Sequence, residues 1–293
     1  MDRPPYDYSP IAGRPRLALP NGARLAVWVG VNIEHYRWGQ PALSLAPFTA
    51  QLVPDPTNYG WRDYGPRVGI WRLIDILDRA GVRASAILNA AVTEEYPEIV
   101  EAVRARDWAI VAHGRDNSTW QTGMERDDER AFVEQVVAAL EGATGRRPSG
   151  WLGPALTATP NTYDVLAELG FTYALDWAND DQPYPLNVAS GSLISVPYSS
   201  EVNDIPAFVL HHHTGAEFAE AVVDQFEVLY EEGAESLRVM GIGIHPFLVG
   251  QPFRARHFAR ALETIVARDD VWLATSDQIA EWYVGATAGA AEG

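Results

Sequence analysis

The sequence predicts an α/β fold built as a distorted (β/α) barrel of seven or eight mostly parallel strands. About eight short runs are continuously apolar rather than alternating, as strands covered on both faces require. Most of them are separated by segments with helical apolar spacing, the order expected of parallel crossover units. No G-x-G-x-x-G follows the first strand, so a doubly wound nucleotide-binding sheet loses its main signal.

The elements follow in order. Residues 1–24 read as a Pro-rich arm, 25–284 as one domain, and 285–293 as a flexible tail. Residues 24–31 (RLAVWVGV) have strand length, and 41–64, with Pro47, Pro54, Pro56 and Gly60, read as loop. Pro66 opens a helix with Val68, Trp71, Ile74 and Leu77 on one face, and Gly81 ends it. Strands are expected at 82–88 and 108–112 with a helix at 94–106 between them. A helix at 125–141 stacks Phe132, Val133, Val136, Val137 and Leu140. A short strand at 150–152, a helix at 161–169 and a strand at 171–175 come next. Strands at 193–196, 240–244 and 271–274 complete the set, with helices near 215–232, 254–267 and 276–283.

Composition narrows the chemistry. The 293 residues contain no Cys, and all 22 basic residues are Arg. Thiolate chemistry, Schiff-base lysines and a P-loop lysine are therefore excluded. A formal net charge of −17 argues against nucleic acid or an anionic membrane as partner. The N-terminus lacks the apolar core of a signal peptide and no run has the length of a membrane span, so a cytoplasmic location is expected.

In barrel-like α/β folds the chemistry sits just past the carboxyl ends of the strands. That places Asn32, Glu34 and His35 after the first strand, and His113 to Asn117 after the third. Trp151 and Leu152 fall at the fourth strand, and Asp176, Asp180 and Asp181 follow the fifth. Tyr198 and Asn203-Asp204 come after 193–196, and His245 after 240–244. Repetition of polar and aromatic residues at one end of nearly every strand points to a shared pocket. His211, His212 and His213 look like a metal cluster, but neighbours on an extended chain alternate sides and cannot all face one ion. Trp38, Trp120, Trp151 and Trp177 sit at strand ends or in loops, where they can pack on a planar ligand or a sugar ring.

Six motifs carry a resemblance: VNIEH (31–35), AHGRDNS (112–118), RRPSGWLGP (146–154), LDWANDDQPY (175–184), PYSSEVNDI (197–205) and IGIHPFLVGQPFR (242–254). In this order, each at its place in the alternation, they resemble the polysaccharide deacetylase family, carbohydrate esterase family four. The resemblance spans residues 20 to 284 and extends to the allantoinase-like and cyclic-imide-hydrolase-like C–N hydrolases. It implies the barrel fold and hydrolysis of a carbon–nitrogen bond in a small amide, cyclic amide or N-acyl compound.

Metal-dependent members of the family carry two Asp in the first motif and His-x-x-x-His in the third. Asn32, Glu34, His113 and Asn117 stand at those positions here. Asn32 cannot accept a proton, and Asn117 is a poor ligand for a zinc-like ion. Leu152 replaces the Arg that orients the base, whereas His245 matches the catalytic His. The expectation is that no metal is required, with Glu34, His113 and Asn117 left as residual positions for a weakly held divalent ion. His245 is expected as general acid or base, Glu34 to position or activate water, and Asn32 to help hold the oxyanion. Trp151, Asp176, Asp180, Asp181 and Tyr198 are expected to contact a small-molecule substrate. A homo-oligomer is suggested by analogy. The alternatives are a metal-dependent N-acetyl sugar or polysaccharide deacetylase, and an inactive binding protein on the same scaffold.

Overall fold

The computed structural model describes residues 3–40 and 42–290. Its strands among the described residues are β1 (Leu25–Ile33), β2 (Ser85–Leu88), β3 (Ala109–Ala112), β4 (Gly150–Trp151), β5 (Tyr173–Ala174), β6 (Tyr184–Leu186), β7 (Leu193–Ser195), β8 (Val239–Ile244) and β9 (Val271–Leu273). The helices are α1 (Pro56–Tyr64), α2 (Ile70–Ala80), α3 (Val92–Glu95), α4 (Pro97–Ala105), α5 (Arg126–Thr144), α6 (Thr162–Glu168), α7 (Gly215–Glu232), α8 (Pro252–Val266) and α9 (Ser276–Ala290).

The strands form one curled sheet in the order β6-β7-β5-β4-β3-β2-β1-β8, with β9 pairing the start of β1. Every pairing is parallel except β6 with β7. It is a half-barrel rather than a closed one. Across the seam, a lone bridge between Asn203 and Gly243 and a bond from the Val239 N–H to the Asp181 carbonyl link the edges.

Alternation along each strand decides which side chains enter the curl. Trp28, Ile87, Val111, Leu152, Tyr173 and Val196 pack together inside it. Residues of opposite parity, such as Val27, Val29, Ile110, Ala112, Trp151 and Ile242, pack in the larger cluster shared with the helices. Burial on both faces explains the continuous apolar runs of β1 and β8.

Several expectations need correction. Residues 56–64 are helical, because Asp55 caps the helix by accepting from the Asn58 N–H and Pro56 sits in its first turn. The helix expected at 94–106 is two, α3 and α4, broken at Tyr96 before Pro97. Strand β6 was not foreseen; it contains Pro185 and lies at the sheet edge, where a missing N–H is tolerated. The expected flexible tail is helical through Ala290, while 291–293 lie outside the described residues. The Pro-rich arm packs on the barrel through Tyr6, edge-on to Trp177 and Tyr184, and through Arg14. Among the described residues no helix is long and apolar enough to cross a membrane.

Candidate active site

Parity carries four strand-end residues into the curl at its carboxyl end. Trp28 faces inward, so Asn32 and Glu34, four and six residues on, do too. Val111 leads to His113 in the same way, and Val239 leads to His245. These residues, with Asn117 and Tyr198, line one cavity of about 610 Å³.

Glu34 is its hub. Oε2 accepts from the Tyr36 hydroxyl at 2.6 Å. Oε1 accepts from the Asn117 amide and faces His113 Nε2 at 3.4 Å and His245 Nε2 at 3.5 Å. Burial alone would push the Glu34 carboxyl up, but the His245 charge and the bonds from both imidazoles outweigh it and hold the pKa well below the usual carboxylate range. Glu34 is an anion at neutral pH.

His245 is held from the other side by Asp204. Its Nδ1 lies 2.6 Å from Asp204 Oδ1, and its backbone N–H donates to Oδ2 at 2.8 Å. The Val249 N–H adds a third bond to Oδ2, so a fully buried carboxylate fixes both the ring and the loop that carries it. Burial pulls the His245 pKa down, yet the charges of Asp204 and Glu34 and their hydrogen bonds lift it to about 10. The imidazole is therefore a cation at neutral pH.

The loop after β8 is seated by close backbone approaches. A Cβ on Gly69, or on Gly250, would sit inside the Pro246 carbonyl, so glycine is what lets this loop rest against the turn before α2. The asparagines are occupied as donors. Asn32 Nδ2 donates to the Tyr198 hydroxyl at 3.1 Å and to the Ile244 carbonyl at 3.3 Å, and Asn203 Nδ2 donates to the same hydroxyl. Asn89 Nδ2 donates to Asn117 Oδ1 at 3.1 Å.

The family's metal can be tested against this donor set, and it does not fit. Asn117 turns its amide N–H to Glu34 and its carbonyl oxygen to Asn89, leaving no lone pair directed at an ion. His113 Nδ1 donates to the Leu152 carbonyl at 2.7 Å, so Nε2 is the one nitrogen of that ring open to an ion. His245, protonated between Asp204 and Glu34, has no lone pair to give, so Glu34 and His113 Nε2 remain, short of the three protein ligands usual in catalytic zinc sites. Among the described residues no three His, Asp or Glu side chains group to hold a metal ion.

Not every expected contact residue reaches the cavity. Trp151 is fully buried in the outer cluster, edge-on to Phe171, because its parity on β4 is outward; its neighbour Leu152 lines the cavity instead. Asp176 has outward parity as well. Its Oδ1 accepts from the Gly153 N–H at 2.7 Å, and burial pushes its pKa up to about 7. Asp180 and Asp181 line a separate cavity of about 840 Å³ beneath the N-terminal arm, where Asp180 is paired with Arg14 at 2.6 Å. Trp177 packs against Tyr6 and Tyr163, Trp38 against Tyr59, and Trp120 stands at the cavity. The three histidines at 211–213 lie in a loop, the rings of His211 and His213 5.9 Å apart.

Tyr36 escaped the sequence reading, and Asp204, placed with Asn203 past the 193–196 strand, had no role assigned to it. Both stood near recognised motifs, Asp204 inside VND and Tyr36 just past VNIEH. An Asp beside an Asn after a strand reads as a turn, and a Tyr two residues past a strand-end Glu reads as wall.

A curled parallel half-barrel with an Asp–His–Glu string at the carboxyl ends of its strands has the layout of a barrel-type hydrolase. The profile described as "Polysaccharide deacetylase" matches residues 58–174 of the chain. A Schizosaccharomyces pombe polysaccharide deacetylase homologue is 28% identical, the match covering 89% of this chain and 91% of that protein. The crystal structure of a polysaccharide deacetylase homologue from Pseudomonas aeruginosa PAO1 superposes with a TM-score of 0.83 at 28% identity, covering 93% of this chain and 96% of the other. PuuE allantoinase superposes with a TM-score of 0.83 at 26% identity, over 94% and 97% of the two chains.

Proposed function

We propose that the protein hydrolyses a carbon–nitrogen bond other than a peptide bond, in a small amide, cyclic amide or N-acyl compound, by acid–base chemistry without a tightly bound metal. The observation that carries this reading is the string Asp204–His245–Glu34 at the floor of the cavity, with a cationic imidazole between two carboxylates.

Hydrolysis needs a proton taken from water and a proton given to nitrogen. Glu34 accepts the first as water adds to the carbonyl carbon, and His245 Nε2 gives the second as the C–N bond breaks. Glu34 is a weak base while His245 is charged, and becomes a stronger one as His245 gives up its proton, because the two titrate as a coupled pair. The 3.5 Å contact between Glu34 Oε1 and His245 Nε2 then returns the proton from carboxyl to imidazole, restoring the starting state. The net change is water plus amide giving acid plus amine. The Asn32 side chain fixes the Tyr198 wall of the site.

The test is a panel of cyclic imides, lactams, linear amides and N-acetyl sugars, read by amine or carboxylate release. At least one member is expected to turn over, and His245→Ala to lower that rate by about 10²–10⁴-fold. Equal rates in the two proteins remove His245 from the mechanism.

A further inference from the structure

The polar groups of the catalytic cavity are concentrated at its floor, and nearly all are committed to one another. The Asn32 and Asn203 amides donate to the Tyr198 hydroxyl, and Asn117 is held between Glu34 and Asn89. Above the floor the lining changes to carbon: Leu43, Leu152, Leu156, Ile205, Pro206 and Trp120. No Arg lines this cavity among the described residues, and the His245 imidazolium is already flanked by Asp204 and Glu34, so a carboxylate or phosphate on the substrate would meet no free cation. Apart from the Ser200 hydroxyl, little in this wall could answer the ring hydroxyls of a sugar.

A second, independent observation concerns the rim. Ala155 and Leu156 both have left-handed backbone, φ 55° and φ 54°, in two successive residues that are not glycine. Such backbone is costly for a residue with a Cβ, and strain of this kind collects where a chain clamps a ligand. Here it places both residues on the cavity wall. Leu156 is 37% exposed and Trp120 54% exposed, large apolar surfaces left facing solvent at the mouth of the cavity. A ligand that covered them would remove that exposure.

We infer that the substrate is a neutral amide or cyclic imide carrying an apolar body, an alkyl or aryl substituent that lies against Trp120, Leu43 and Leu156 while its carbonyl rests on the floor. This rests on the C–N hydrolase reading of the site. It separates the substrate from N-acetyl sugars and from small polar ureides, whose hydrogen-bonding groups would be stripped of water against a carbon wall. The volume of about 610 Å³ has room for such a body beyond a five- or six-membered ring.

The experiment is a homologous series, glutarimide and its 3-methyl, 3-ethyl and 3-propyl derivatives, set against N-acetylglucosamine and allantoin. Burial of one methylene corresponds to about fourfold in affinity, so kcat/KM should climb about fourfold per carbon until the wall is filled. Trp120→Ala should flatten the climb and Trp120→Phe restore most of it. The same series titrated calorimetrically into the His245→Ala variant gives the slope of binding even where no member is hydrolysed. Affinity that is flat along the series, or highest for allantoin or N-acetylglucosamine, overturns the inference. Turnover of glutarimide with a flat slope would overturn the inference alone. A rising slope with no turnover of any member would overturn the hydrolase reading and leave the apolar site standing.

Discussion

Replacing Asp204 by Asn keeps the volume of a fully buried side chain and removes one charge. In the wild type, Asp204 and Glu34 together lift the His245 pKa to about 10 against the pull of burial. Without the Asp204 charge the pull of burial gains, and His245 falls toward or below its ordinary value of about 6.5. At about pH 8 the imidazole would then be roughly 3% protonated instead of about 99%, a loss of about 30-fold in competent enzyme. The Asn carboxamide oxygen can still accept from the His245 and Val249 backbone N–H groups, but its N–H then faces the ring nitrogen at 2.6 Å and opposes the protonated ring, so the cation is less well held. The total expected loss of kcat at about pH 8 is about 10²–10³-fold, within the range usual for a general acid. The assay is the pH profile of kcat on the best imide of the panel. Wild-type activity should persist until pH approaches about 10, whereas Asp204→Asn should decline from well below pH 8 and recover in part on acidification. An unchanged alkaline limb, or an effect on KM alone, would refute the role given to this pair.

Other predictions follow from the same geometry. Tyr36→Phe deletes a bond donated to Glu34 at 2.6 Å, so urea unfolding should show a loss of about 1–3 kcal/mol and the acid limb of activity should move to higher pH. The folded His245 pKa lies above its unfolded value, so its contribution to stability is complete below about pH 6.5 and is lost as pH rises through about 10. The gap in thermal midpoint between wild type and His245→Asn should therefore be widest in mild acid and close in alkali. Gly69→Ala drives a Cβ into the Pro246 carbonyl and should cost about 2–3 kcal/mol in urea unfolding, with a loss of activity because His245 rides on the same loop.

Much of the fold was legible because burial on both faces writes itself as an unbroken apolar run, as in β1 and β8. Strand β6 was hidden by Pro185, and α1 by the prolines and glycine around it, whose local meaning depended on the cap made by Asp55. Within the site, motif order pointed to Asn32, Glu34, His113, Asn117, Tyr198 and His245, and these six do line one cavity. Trp151 and Asp176 failed on parity, which the sequence carries but which needs the inner face of each strand to be known first. The pairing of Asp180 with Arg14 joins residues 166 apart and has no local signature. Asp204 stood among the strand-end polar residues, but its pairing with His245, 41 residues on, has no local signature.

The central claim is that Asp204, His245 and Glu34 perform the hydrolysis with no tightly bound metal. The most direct measurement is turnover of the best panel substrate by protein purified without added metal, before and after exhaustive chelation, with metal content determined on the same samples. The account predicts rates unchanged by chelation and metal well below one equivalent per chain. Activity that disappears with the metal and returns with one equivalent of zinc would contradict it.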